Sequence, residues 1–150
     1  MNNKIIPLLI LALFCVFLIG CGGGKAQITG KVAFEDGSPL TKGSLRAKTG
    51  DGIQVKGIVK EDGTFTLYDL KPGDGIPSGK QYRIWVVNAV EMIPSTQQVF
   101  DADLGKNVPA PPTERPLVAR EFTDSEKSPI TLDVPKGSPK ITHDITVKKP

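Results

Sequence analysis

The sequence contains only two cysteines, one histidine and one tryptophan, and aromatic residues make up 6% of its 150 residues. Both cysteines, Cys15 and Cys21, lie in or directly after an N-terminal apolar run. The rest of the chain therefore has no disulfide, no thiolate metal site and no cysteine nucleophile. A domain built from these remaining residues depends on its own hydrophobic core.

The sequence also lacks a strong excess of charge of one sign. Its formal net charge is +3 at neutral pH, and no basic cluster interleaved with aromatic residues occurs. Nucleic-acid-binding domains usually carry such a cluster on one face. We therefore expect no nucleic acid among the partners of this protein.

Long hydrophobic runs are scarce as well. The longest extends from Ile5 to Ile19, follows Lys4 and contains Pro7. A membrane-spanning helix needs about 20 apolar residues, which argues against a retained transmembrane segment. A cation, a short apolar run and a small residue, here Gly20, are typical of a secretory signal. Ordinary signal cleavage would favour a small residue at position 18, where the chain has leucine.

The tetrapeptide Leu18-Ile19-Gly20-Cys21 resembles the lipobox of bacterial lipoproteins. The resemblance implies that residues 1–20 are a signal peptide and that Cys21 carries the lipid, palmitate included, as the new N-terminus. Residues 21–26 would then be a glycine-rich tether that holds the domain within about 20 Å of the membrane. The expected location is the extracytoplasmic side of the cell envelope. Glycine rather than aspartate at position 22 favours the outer membrane.

Beyond Gln27 the apolar residues alternate with a period of two between glycine-containing turns. Examples are Ile28 and Val32, Ile84 and Val86, and the pair Leu132 and Val134. This pattern is typical of antiparallel strands. It predicts an all-β domain over residues 27–148, a β-sandwich of seven strands. Residues 91–128 contain five prolines and are expected to form a long irregular insertion before the last two strands.

Several turn sequences are similar to those of carboxypeptidase regulatory-like, or transthyretin-like, domains. They are the runs Asp36-Gly37-Ser38-Pro39-Leu40, Glu61-Asp62-Gly63-Thr64-Phe65 and Pro77-Ser78-Gly79-Lys80-Gln81-Tyr82. The stretch from Pro116 to Thr131 resembles small bacterial lipoproteins that carry such a domain. The resemblance implies a seven-stranded Greek-key sandwich of the transthyretin (prealbumin) kind, usually an accessory module without catalysis. These motifs specify a fold rather than a function.

Catalytic and metal-binding residues are not evident in the sequence. His143 has no second histidine to share a zinc ion or a proton relay, and it is expected to be a partly buried strand residue. A ureide-opening hydrolase with the transthyretin-like fold uses several histidines and a C-terminal Tyr-Arg-Gly-Ser, which this chain lacks. The spacing of Asp101, Asp103 and Asn107 does not fit a calcium loop of the helix-loop-helix type, because Pro112 stands where glutamate is needed. We therefore expect no enzyme, no metal and no cofactor.

One possible binding surface remains. In the strand around residues 82–87, alternation places Arg83, Trp85 and Val87 together on the side away from the core. An exposed tryptophan could stack on a sugar or a protein partner. We expect instead that the segment from Met92 to Leu117 folds over Trp85 and covers it with four apolar side chains, Met92, Ile93, Val99 and Phe100; if that segment does not cover it, Trp85 is the best candidate for a binding site.

These observations predict a lipid-anchored, non-catalytic module at the cell envelope, with a structural or protein-interaction role. Its partners would be the membrane, through Cys21, and an envelope protein. The alternative is a ligand-binding module, for carbohydrate, that uses Trp85 and the segment 91–128.

Overall fold

The computed structural model describes residues 24–150, and this part of the chain is almost entirely β-structure. The strands are β1 (Lys25–Phe34), β2 (Ser44–Thr49), β3 (Gln54–Val59), β4 (Thr64–Tyr68), β5 (Ile76–Pro77), β6 (Lys80–Val87), β7 (Val90–Ile93), β8 (Gln98–Asp101), β9 (Lys106–Pro109), β10 (Thr113–Pro116), β11 (Ile130–Val134), β12 (Lys140–Thr142) and β13 (Ile145–Val147). A short 3-10 helix spans Arg120–Phe122. Across these residues, no helix has the length and apolar character needed to cross a membrane. The predicted signal segment and Cys21 lie outside the described residues.

Nine of the strands form one curled sheet, in the order β11-β6-β2-β3-β4-β1-β12, and β5 and β13 also pair with β1. The all-β prediction is confirmed, although the described chain has more strands than the seven expected. β1 pairs with β4 in the antiparallel sense but with β12 and β13 in the parallel sense. Local alternation does not reveal this parallel pairing, because it joins residues more than a hundred positions apart.

The hydrophobic core lies on the inner side of the curled sheet, and burial alternates along most strands. In β6 the buried residues are Tyr82, Ile84 and Val86, as the period-two pattern predicts. The phenolic hydroxyl of Tyr82 donates a hydrogen bond to the carbonyl oxygen of Pro77 at 2.8 Å, so that this buried polar group is satisfied. Phe65 of β4 is 2% exposed and packs in the same core.

Residues 91–128 are not irregular throughout, in contrast to the prediction, because four strands, β7 to β10, lie between residues 90 and 116. β7 pairs with β10 and β8 pairs with β9, both in the antiparallel sense, which makes residues 90–116 a two-stranded ribbon with a break between the two pairs, at residues 94–97 and 110–112. After the ribbon the chain returns to the nine-stranded sheet and its core, which are called the body below. Val118 and Phe122 are buried there. The strands of this segment were not predicted because it is rich in proline, which is typical of loops. Within sheets, proline is confined to exposed edges.

Candidate functional site

The ribbon is attached to the body at one end only. At this base, Pro116 lies opposite Val90, and the backbone N–H of Leu117 donates to the carbonyl oxygen of Ala89 at 2.9 Å. Arg115 and Glu91 form an ion pair across the two strands. From residue 91 to residue 116 no side chain is buried. The ribbon therefore extends away from the core rather than packing on it.

The tip of the ribbon is the turn that joins β8 to β9. The carboxylate of Asp101 accepts hydrogen bonds from the backbone N–H groups of Asp103 and Leu104, at 2.9 and 3.1 Å. These bonds fix the turn, as aspartate side chains commonly do. Phe100 is 69% exposed and Leu104 is 60% exposed. The turn thus presents two large apolar side chains to solvent beside two carboxylates.

Exposed apolar residues are concentrated on the ribbon. Among the described residues, seven large hydrophobic side chains are exposed, and five of them are on the ribbon: Met92, Ile93, Val99, Phe100 and Leu104. The other two, Ile58 and Leu70, are isolated from it in sequence. A two-stranded hairpin is only marginally stable in water without another surface to cover it. The ribbon therefore has the character of an interaction element.

An apolar cavity of about 470 Å³ lies at the base of the ribbon. Its walls include Val87, Val90, Pro116 and Val118, with Arg120 at the margin. A neighbouring cavity of about 460 Å³ is lined by Phe34, Pro116 and Leu117 together with two cations, Arg115 and Lys149. The ribbon thus has apolar side chains at its tip and apolar hollows with basic margins at its base.

The two predicted faces of β6 are present. Arg83 is exposed, and Trp85 and Val87 are half-buried on the side away from the core. Met92, Ile93, Val99 and Phe100, which were expected to cover Trp85, are between 40% and 69% exposed. That cover is not formed, because the segment projects as a ribbon instead of folding over the sheet.

Strand pairing brings basic residues beside Trp85 that sequence reasoning did not identify. Arg46 of β2 is the register partner of Trp85, and Lys56 of β3 is the partner of Arg46. The ammonium of Lys56 lies 5.6 Å from the ring centroid of Tyr68, the next partner in this row. The row Trp85–Arg46–Lys56–Tyr68 is called the basic row below. Only the register between distant strands reveals it.

A polar cavity of about 590 Å³ adjoins the basic row, and Gln54, Gln81, Lys48 and Arg83 contribute to its walls. Lys48 forms an ion pair with Glu126, and Arg83 donates to the carbonyl oxygen of the same residue. The hydrogen bond from Lys48 holds the pKa of the Glu126 carboxyl below its usual value. The loop that carries Glu126 therefore closes one side of the cavity and partly neutralises it.

The other candidate residues from the sequence, His143 and Asp101, take part in hydrogen bonds that support the backbone of the fold. His143 is half-buried between β12 and β13, and its backbone N–H donates to the carbonyl oxygen of Thr29 at 2.8 Å. Asp101 serves the turn at the ribbon tip, as described above. Within residues 24–150, no group of three or more His, Cys, Asp or Glu side chains is placed to hold a metal ion.

Comparisons with known proteins give little further information. No protein-family description and no curated protein sequence matches the chain. A solved structure that aligns with it is the crystal structure of a 9R-lipoxygenase from Cyanothece PCC8801, at 15% identity and a TM-score of 0.35. The alignment covers 83% of this chain but only 17% of the lipoxygenase chain.

This finding requires one correction. The expectation that the chain is not an enzyme is withdrawn: the finding that bears on it is the alignment with a lipoxygenase, at 15% identity, which neither shows nor excludes an enzymatic function. A TM-score of 0.35 carries no argument for lipoxygenase chemistry in this chain. The two candidate binding surfaces among the described residues are the ribbon and the basic row.

Proposed function

We propose that this protein is a lipid-anchored module on the extracytoplasmic side of the cell envelope, and that the ribbon is its protein-interaction element. The lipobox-like Leu18-Ile19-Gly20-Cys21 supports the anchor, with lipid on Cys21. The turn sequences that resemble carboxypeptidase regulatory-like domains support a transthyretin-like Greek-key arrangement of the strands. Both proposals agree with an all-β domain that has no cysteine after residue 21.

The observation that carries the interaction role is the set of exposed apolar side chains on the ribbon. Fully burying a side chain such as Phe100 or Leu104 in a partner would contribute roughly 1.5–3 kcal/mol each. The body of the domain already has a closed core, so these residues are not needed to complete it. A concentration of exposed apolar side chains on one projecting element favours an interaction site.

The placement of the ribbon also suits this role. The tether leads into Lys25 at the start of β1, whereas the base of the ribbon adjoins Phe34 at the other end of this strand. Ten residues of extended strand separate the two points by about 30 Å. The ribbon therefore leaves the body far from the proposed lipid and is free to meet another protein.

In-cell cross-linking of the full-length chain, followed by mass spectrometry, tests the interaction role. The variant Phe100→Ser/Leu104→Ser removes the apolar tip, and Ile58→Ser/Leu70→Ser removes two equally exposed apolar residues elsewhere. We expect the tip variant to lose the cross-linked partner and the control to keep it. Equal cross-linking by both variants would refute an interaction role for the ribbon.

A second candidate function is binding of an anionic carbohydrate at the basic row. It is favoured by the position of Trp85 beside Arg46 and by the adjoining polar cavity with Arg83. Aromatic rings stack on sugars, and cations neutralise their carboxylates or phosphates. Trp85 is the single tryptophan, so its fluorescence reports this site directly. Titration with acidic glycans should change the emission of the native chain but not that of Arg46→Glu; no change in either would exclude this candidate.

A further inference from the structure

We infer that the partner of the ribbon is a second copy of this chain. In this arrangement two ribbons lie side by side in opposite directions, and the tip of each enters the cavity at the base of the other. The inference rests on the proposed interaction role of the ribbon and names its partner. Four features of the molecule support it: apolar complementarity, charge, the open edge of the ribbon, and symmetry.

Apolar complementarity connects the tip to the base. Phe100 and Leu104 are the most exposed apolar side chains of the ribbon, and they flank the turn at its end. The base carries a cavity of about 470 Å³ with walls of Val87, Val90 and Val118. This volume can accept an aromatic and an aliphatic side chain. A single molecule cannot use this fit, because its own ribbon leads away from its own base.

Charge complements the apolar fit. The ribbon contains four acidic residues and two basic ones, while the remainder of residues 24–150 contains sixteen basic and twelve acidic residues. Asp101 and Asp103 stand at the tip, where Lys106 is the register partner of Asp101 and leaves one negative charge in excess, and Arg120 lines the base cavity. In the described part of the chain, none of the side chains of Asp101, Asp103 and Arg120 takes part in an ion pair. A tip of one copy at the base of another would bring these opposite charges together.

The two edges of the ribbon differ in what they offer to an added strand. The returning side contains four prolines, Pro109, Pro111, Pro112 and Pro116, whereas the outgoing side, residues 90–101, contains only Pro94. Proline has no N–H to donate and protects a sheet edge from further pairing. The outgoing edge, with β7 and β8, is therefore the one open to another chain.

Symmetry selects a second copy for this edge. Two identical strands that pair in the antiparallel sense are related by a two-fold axis, so each residue position has the same partner in both copies. About twelve residues separate the base from the tip, which is at most about 40 Å of extended strand in either copy. Both tips can thus reach both bases at once. The assembly closes as a dimer and does not extend into a filament.

Cysteine cross-linking of the lipidated, full-length protein in membranes tests this arrangement. Leu104→Cys places a thiol at the tip, Thr123→Cys places one at the base cavity, and Leu70→Cys is a control on an unrelated exposed loop. Two differently tagged copies are co-expressed and oxidised, and the cross-linked peptides are identified by mass spectrometry. We expect a tip-to-base disulfide between copies and neither a tip-to-tip nor a tip-to-control disulfide.

A charge exchange provides the second measurement. Arg120→Glu should weaken dimerisation by about tenfold or more, measured by light scattering of the protein in detergent. Asp103→Arg in the same chain should restore it, because both interfaces of the two-fold dimer then regain opposite charges. An unfolded variant could not be rescued in this way.

Other outcomes decide against the inference. A dominant tip-to-tip disulfide, or a protein that stays monomeric at all concentrations, would overturn it. If the protein is monomeric while the tip still cross-links to a different envelope protein, the proposed interaction role stands and only the second copy is excluded. If the tip cross-links to nothing, both proposals fail together.

Discussion

The carbonyl oxygen of His143 lies against the Cα of Gly30, at the point where the partner of β1 changes from β12 to β13. A Cβ built on Gly30 would fall well inside van der Waals contact with this oxygen and 3.0 Å from Cε1 of Phe65. The position therefore requires glycine for space and not for a turn.

We expect Gly30→Ala to lower the free energy of unfolding by about 1–3 kcal/mol or more, because the crowded backbone must shift. Gly50→Ala is the matched control, since no atom lies within 4 Å of its added methyl group. Urea melts of the two variants measure the difference. Similar midpoints for both would mean that β1 and the His143 segment do not approach each other.

Substitution of Phe65 tests the register of β4 and the packing of the core. Because it is 2% exposed, Phe65→Ala should cost about 3–5 kcal/mol. Ile58→Ala in the neighbouring strand removes a side chain that is 60% exposed and should change the stability by no more than about 0.5 kcal/mol. Urea melts again provide the measurement, and a loss below about 1 kcal/mol for Phe65→Ala would contradict the buried position.

Because Tyr82 is buried, we expect the folded chain to lose stability in alkaline solution. Burial raises the pKa of Tyr82 from 10.0 to about 12. Between these values the folded chain keeps the phenolic proton while the unfolded chain has lost it, so the free energy of unfolding falls as the pH rises from 10 to 12. Below pH 10 the effect is absent.

The variant Tyr82→Phe isolates this contribution. At neutral pH it should cost about 1 kcal/mol, because the hydrogen bond to Pro77 is lost. Between pH 10 and 12 the difference from the native chain should shrink, since phenylalanine does not titrate. A constant difference over this range, measured by denaturant melts at each pH, would show that Tyr82 does not remain protonated in the folded state.

The lipid anchor gives the fourth prediction. Cys21→Ala should leave the precursor unprocessed or release the protein from membranes, and it should abolish incorporation of labelled palmitate. Cys15→Ala is the control, because this residue would leave with the signal peptide. Unchanged membrane retention, processing and labelling in Cys21→Ala would exclude lipidation.

Local alternation was sufficient to predict the strands that build the core. The buried positions of Tyr82, Ile84 and Val86 follow directly from the period of two, and so does the common side of Arg83 and Trp85. Side chains on one strand alternate regardless of which strand lies next to it. The all-β class of the fold and the residues that face the core could therefore be predicted from the sequence.

Features that depend on pairing between distant strands could not be predicted in this way. The basic row exists because Arg46 and Lys56 are aligned with Trp85, and no local pattern contains that alignment. The ribbon was missed because Pro109 and Pro116 stand within its strands. Proline is tolerated in these strands because one edge of each has no neighbouring strand. The sequence alone does not show that this edge lacks a neighbour.

The parallel pairing of β1 with β12 and β13 also sets the order in which the protein can mature. A chain synthesised from its N-terminus presents β1 about a hundred residues before the segments that cover one of its edges. Contacts of such long sequence separation form slowly, and an uncovered strand is prone to aggregation in the meantime. The fold of this domain can thus be completed only after β12 and β13 have been synthesised, and a chaperone that shields β1 during that interval would raise the yield of folded protein.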